Sequence, residues 1–270
     1  MLGTGTPRAD PERSGPAVAI IYQGRAYLFD SGPGVVRRAA AASARLNIPA
    51  LQAPKLNRVF LTHLHSDHTL GLPDLIFSPW VLGREEPLDL YGPKGTKAMA
   101  DHLEAAWQED IDVRLHGLEH ANATGYKVTV HEIEAGVVFR QNGLEVTAIP
   151  VHHGSWAQAF GYRIDTPDRT IVISGDCAPT PALAIACDRC DVFLHEVYSL
   201  AEANDLRPGW VAYLHEFHTS TAELAQIAAQ SKPKLLVLYH QVSAKPDNLV
   251  MEVQRDYKGR VVSAHDFDVY

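Results

Sequence analysis

The stretch Thr62-His63-Leu64-His65-Ser66-Asp67-His68 decides how this chain is read. It gathers His63, His65 and His68 around one carboxylate, Asp67. Imidazole suits zinc and similar divalent ions, and a carboxylate among the histidines can bind metal or hold a metal-bound water. In an extended chain side chains repeat every two residues, so His63, His65 and Asp67 share a face while His68 does not. A turn after His65 would bring Asp67 and His68 round to a second, adjacent position. The cluster therefore implies two metals rather than one.

Working outward, the apolar run Arg58-Val59-Phe60-Leu61 precedes the motif and Thr69-Leu70-Gly71-Leu72-Pro73 follows it. Further segments belong with it: Gly3-Thr4-Gly5-Thr6-Pro7, Leu28-Phe29-Asp30-Ser31-Gly32, Val151-His152-His153-Gly154 with Phe160-Gly161-Tyr162-Arg163, and Ser174-Gly175-Asp176. Together they resemble the metallo-β-lactamase-fold hydrolases along nearly the whole chain. Leu194-His195-Glu196, Phe217-His218-Thr219-Ser220-Thr221 and Leu238-Tyr239-His240 point to the branch that holds ribonuclease Z and the arylsulfatase-like and phosphodiesterase-like hydrolases. Cys177 stands where relatives often carry Thr or Ser.

The resemblance implies an α/β (α+β) fold, a four-layer αββα sandwich, formed by a single domain over residues 1–270. It implies that His63, His65 and His153 hold a first metal, that Asp67, His68 and His240 hold a second, and that Asp176 bridges them. The cofactor implied is two Zn2+, with Mn2+ or Fe as alternatives. Of the neighbours His152 and His153, which face opposite ways in a strand, the family pattern picks the one directly before Gly154. His218 takes a catalytic role by resemblance, bonding the oxyanion and helping the leaving group accept a proton. Glu196 would orient its imidazole, and Asp67 would hold the attacking hydroxide. Asp30 either orders the histidine loop or is a turn residue. Gly3-x-Gly5 lacks the lysine and the following helix of a phosphate loop.

Composition narrows the class. The 270 residues are 46% hydrophobic and 21% charged, which is ordinary globular composition. No apolar run approaches the ~20 residues of a membrane helix, so no membrane partner is expected. Cys177, Cys187 and Cys190 make no disulfide framework, and Cys187 and Cys190 read as free thiols at a helix end, which favours a reducing compartment. The expected location is cytoplasmic if the chain is complete, and periplasmic or secreted if an N-terminal segment precedes it.

The formal net charge is −8. Between residues 80 and 148, where ribonuclease Z relatives carry a basic arm, acids outnumber bases. Nucleic-acid binding needs Lys and Arg along the phosphates. The expected partner is therefore a small-molecule ester rather than nucleic acid, with a homodimer left open.

Periodicity predicts strands at 17–22, 26–29, 59–61, 88–91, 128–133, 144–150, 161–164, 170–174, 192–194, 235–239 and 261–263. It predicts helices at 35–46, 96–110, 180–186, 222–230 (capped by Thr219) and 249–257. The candidate ligands then fall at strand ends. The aromatics Trp80, Trp156, Tyr198, Trp210, Tyr213 and Phe217 lie near the motifs, either as core or as a wall for a flat leaving group. The reading is a dinuclear zinc hydrolase that cleaves a small phosphodiester or aryl sulfate ester by a metal-bridged hydroxide. A ribonuclease Z-type tRNA 3′ endonuclease is the first alternative, ahead of a lactonase or β-lactamase and a non-enzymatic metal binder.

Overall fold

The computed structural model describes residues 1–270. Its contacts divide the chain into two compact units, residues 1–133 with Val269 and residues 134–268 with Tyr270. Each unit is built on one mixed β-sheet with helices between its parallel strands, the two-sheet α/β plan expected from the sequence.

In the first unit, β1 (Val18–Tyr22) and β2 (Arg25–Phe29) form a hairpin. Its two-residue turn, Gln23-Gly24, has both φ values positive, which suits the twist of the flanking strands. β3 (Arg58–Phe60), β4 (Leu88–Gly92) and β5 (Val128–Glu132) then add in order, each parallel to its neighbour from β2 onward. Parallel strands need crossover connections. These contain α1 (Val35–Leu46), α2 (Ser66–Thr69), α3 (Leu72–Val81), α4 (Thr96–Ala106) and α5 (Gln108–His116). The single helix expected over 96–110 is broken at Trp107, which leaves helical geometry and stacks on Phe77 with ring centroids 5.4 Å apart. Glu109 and Asp110 then sit in the first turn of α5, where the helix dipole favours acids.

One buried cation ties this unit together. The Arg84 guanidinium donates to the carbonyls of Leu56, Leu75, Ile76 and Gly125, with no carboxylate among those acceptors. Burial pulls its pKa down to about 10, so it stays charged at neutral pH. These bonds anchor the chain leading into β3, the turn of α3 and the loop before β5.

The second unit orders its strands β12-β11-β10-β9-β8-β7-β6. They are β6 (Gly136–Gln141), β7 (Leu144–Pro150), β8 (Phe160–Asp165), β9 (Thr170–Ile173), β10 (Val192–Tyr198), β11 (Leu235–Val242) and β12 (Val261–Ser263). β6 to β9 run antiparallel and β9 to β12 parallel. The helices are α6 (Pro181–Cys187), α7 (Leu200–Ala203), α8 (Pro208–Phe217), α9 (Thr221–Ser231) and α10 (Leu249–Asp256). Phe193, Val197, Leu236 and Leu238 of the sheet share a core with Leu183, Leu224, Ala228 and Val253 of the helices. β10 is buried along its whole length, as a parallel strand covered on both faces must be.

Two further local expectations are corrected. The cap of α9 is Ser220, not Thr219, and Ser220 forms a reciprocal capping box with Glu223. Thr219 is diverted, donating its hydroxyl to the Cys177 carbonyl and its N–H to Glu196. Cys187 and Cys190 are not free thiols but a disulfide, with Cα atoms 4.7 Å apart. Asp188 and Arg189 between them both adopt positive φ, and that turn brings the two cysteines together. Cys187 does close a helix, and Cys177 is free and buried. No helix is long and apolar enough to cross a membrane.

Candidate metal centre and its supporting residues

In α/β sheets, ligands gather beyond the carboxyl ends of parallel strands. The histidine motif follows β3, an interior strand of the first sheet. His65 is extended and α2 begins at Ser66, so the expected turn after His65 is present. His63 and His65 bring ring nitrogens to 2.9 Å, and the rings of His63 and His68 lie 4.3 Å apart. The His68 Nε2 is 3.6 Å from an Asp67 oxygen. His63, Asp67 and His68 are buried and His65 is half-buried.

Asp30 organises this cluster from the end of β2. It is buried and sits at φ +61, a region an ordinary side chain seldom occupies. Its carboxylate accepts the Thr62 N–H at 2.8 Å, the Thr62 hydroxyl and the His68 Nδ1–H at 2.8 Å. Thr62 Oγ in turn accepts from His63 Nδ1 at 3.0 Å. With each Nδ1 facing an acceptor, the proton belongs on Nδ1 and the Nε2 lone pair is the one available to a metal. Of the two readings for Asp30, ordering of the histidine loop is the one these contacts support.

The second unit supplies the later candidates, again at strand ends. His153 follows β7, is fully buried and donates Nδ1–H to the Phe217 carbonyl at 2.7 Å, which leaves Nε2 for a ligand. Its neighbour His152 is more than half exposed and pairs with Glu216. Gly154 is required beside them. A Cβ there would fall 2.0 Å from the Phe217 ring, and φ is +52. Asp176 follows β9, and His240 lies in β11 with its Nε2 3.3 Å from an Asp176 oxygen. The pairing of β10 with β11 slips here, residues 195–197 of one strand running against 238–241 of the other. This bulge gives His240 its φ of +43 and re-aims its side chain.

Glu196, also in β10, is fully buried. Its Oε1 accepts the N–H groups of Thr219 at 2.9 Å and Cys177 at 3.3 Å, and lies 3.4 Å from His218 Nδ1. Its Oε2 is buried with no hydrogen-bond partner. Burial pushes the Glu196 carboxyl up from the usual range, and the His218 charge opposes that shift. Glu196, His218 and His240 bring one ligand atom each within 4.8 Å of one another. His195, the next residue in the strand, donates Nδ1–H to the Glu196 carbonyl, and burial pulls its pKa down to about 4, so it is neutral.

The donor set fits divalent ions. Imidazole nitrogens and carboxylate oxygens are buried, oriented by neighbours and directed at each other at distances too long for good hydrogen bonds, as in the His240–Asp176 and His68–Asp67 pairs. Each unit thus carries His and Asp side chains positioned for a metal. The sequence did not reveal Thr62, nor the backbone N–H groups of Cys177 and Thr219 that hold Glu196. Polar residues of that kind carry no motif of their own.

Strand-end imidazoles and carboxylates on a two-sheet α/β framework define a metal-dependent hydrolase of the metallo-β-lactamase fold. The chain belongs to the β-lactamase superfamily: the family model described as "Beta-lactamase superfamily domain" matches residues 25–241. It is 32% identical over 247 residues to ribonuclease Z of Mycobacterium marinum, covering 90% of this chain and 86% of that protein. Among solved structures, the metallo-β-lactamase fold protein YhfI from Bacillus subtilis superposes with a TM-score of 0.76 at 18% identity, covering 100% of this chain and 96% of the other. The short form of human tRNase Z superposes with a TM-score of 0.73 at 24% identity, with the same coverage. At those identities the two structures attest the fold.

These relatives overturn one expectation. A small-molecule ester was expected as partner and nucleic acid was set aside, yet the matching relatives are ribonucleases. The charge count over residues 80–148 misled for a physical reason. The count ran over one segment, whereas a phosphate path is set by the cations of the whole surface it crosses, and exposed cations such as Arg8, Arg37, Arg207 and Lys245 lie outside that segment.

Proposed function

We propose that this chain is a divalent-metal-dependent ribonuclease of the ribonuclease Z type, hydrolysing a phosphodiester near the 3′ end of a tRNA precursor. The observation that carries this reading is the 32% identity to a ribonuclease Z over 90% of the chain. The reading takes His63, His65, Asp67, His68, His153, Asp176 and His240 as ligands of two ions, most simply Zn2+, and treats residues 1–270 as one functional domain. Two such ions supply Lewis acidity and lower the pKa of a bound water.

The chain's own groups do the rest. Asp67 accepts the proton of the attacking water. Asp30, Thr62 and the Phe217 carbonyl hold the imidazoles in one tautomer. His218, with Nδ1 turned to Glu196, presents Nε2 to the phosphate, where it stabilises developing charge and protonates the leaving oxygen. The buried Glu196 keeps that imidazole oriented. The test is cleavage of a precursor tRNA carrying a 3′ trailer, with divalent metal and after chelation. A single chelator-sensitive cut that releases the trailer supports the reading. No cut by metal-loaded protein rejects it.

A further inference from the structure

α8 is an unusual helix. Its sequence, Pro208-Gly209-Trp210-Val211-Ala212-Tyr213-Leu214-His215-Glu216-Phe217, is largely apolar, yet only Leu214 of it is buried. Helices that apolar normally bury a face, and those that do not commonly mark a binding surface. Trp210 is 53% exposed and Tyr213 37% exposed.

The exposed rings are not scattered. Trp210 meets Tyr213 edge-on at 5.6 Å, and Tyr213 stacks on Phe217 at 4.5 Å and 23°. Tyr213 lies 5.7 Å from the His218 ring, and Phe217 lies 5.1 Å from His153. Phe217 is wedged over Gly154, where no Cβ fits. The inner end of the row is thus fixed against the candidate catalytic and ligand histidines, while its outer end faces solvent. Arg207, exposed at the N-cap of α8, adds a cation at that outer end.

We propose that the Trp210–Tyr213 face of α8 is a stacking platform for an unpaired nucleobase beside the scissile phosphate of an RNA strand. The inference rests on the ribonuclease reading above and specifies how such a substrate is held. An aromatic ring accepts the π-face of any base, so the platform grips a single strand without reading its sequence, and Arg207 serves the adjoining phosphate. A ring continuous with His218 fixes the nucleotide next to the group that protonates the leaving oxygen.

The experiment uses full-length, metal-loaded protein and a short single-stranded RNA with 2-aminopurine next to the cut site. Its fluorescence is expected to be quenched on binding to the wild type. Trp210→Leu and Tyr213→Leu, which keep apolar bulk, should lose that quenching. In a cleavage cycle, replacing the flanking base by an abasic residue should lower kcat/KM about tenfold for the wild type, the scale of one lost stack. Trp210→Leu should lower it similarly on intact RNA and no further on abasic RNA. Equal quenching in wild type and variants, or losses that simply add, would overturn the platform. If wild-type protein cuts no RNA, the ribonuclease reading fails by itself, and the quenching arm still decides whether the rings stack a base.

Discussion

Removing the Asp30 carboxylate should damage both stability and metal binding, although no resemblance makes Asp30 a ligand. The side chain is buried and accepts from Thr62 N–H, the Thr62 hydroxyl and His68 Nδ1–H. In Asp30→Ala the Thr62 hydroxyl can rotate, but the Thr62 N–H and His68 Nδ1–H are left buried, at about 1–3 kcal/mol each. The φ of +61 adds roughly 1 kcal/mol, since alanine tolerates that region less well than aspartate. The sum is about 3–7 kcal/mol, at or beyond the upper end for a single substitution. Thermal unfolding in chelator should show it as a Tm drop on the order of 10 °C. Because His68 loses its tautomer lock, divalent affinity should fall by about 10–100-fold in a competition titration. Asp30→Asn keeps the left-handed backbone at ease while placing an amide against existing donors, so it should lose affinity with less unfolding. If Asp30→Ala unfolds within about 1 kcal/mol of the wild type and binds metal equally well, the claim that Asp30 sets the histidine loop is wrong.

Elemental analysis of Asp176→Ala and His152→Ala should show metal lost from the first and retained by the second. Metal lost with His152 and kept with His153 removed would reverse the choice between those neighbours. His218→Ala should keep its metal while kcat falls ~10²–10³-fold, most for esters with poor leaving groups, and Glu196→Gln should show a milder form of the same pattern. Equal losses on good and poor leaving groups would remove the proton-donor role. His195 has a folded pKa of about 4, below its unfolded value near 6.5, so the unfolded chain binds the extra proton. Its contribution is therefore complete above pH 6.5 and lost on acidification towards pH 4. Between pH 7 and 5 the loss is about 2 kcal/mol. Urea unfolding of metal-free wild type and His195→Asn at both pH values should differ by that slope, and parallel slopes would contradict the neutral buried imidazole.

The fold and the candidate ligands were legible because they carry patterns. Val192-Phe193-Leu194 and 235–239 are apolar runs that only covered strands sustain, and His-x-His-x-Asp-His is too dense to be a polar turn. The supporting contacts were not legible. Nothing in the sequence says that Glu196 is held by the N–H groups of Cys177 and Thr219, or that a bulge in β11 turns His240. α3 and α8 escaped because hydrophobic all-round helices lack the 3.6-residue contrast that periodicity detects. The cap of α9 was misplaced by one residue because Thr219 and Ser220 are equally good formers, and the buried pull of Glu196 on Thr219 decided between them. The Cys187–Cys190 bridge turned on two positive φ values that no spacing rule supplies.

The central claim joins two statements, a dinuclear metal site and RNA as its substrate, and one titration tests both. Metal-free protein is reconstituted stepwise with Zn2+ or Mn2+, and cleavage of a 3′-extended precursor tRNA is measured at each ratio of metal to protein. Activity should rise until two ions are bound per chain and then level off, with the cut at a single position and abolished by chelator. Full cleavage with one ion or none would contradict the dinuclear site. Two bound ions with turnover of aryl esters but no cut in the RNA would contradict the ribonuclease.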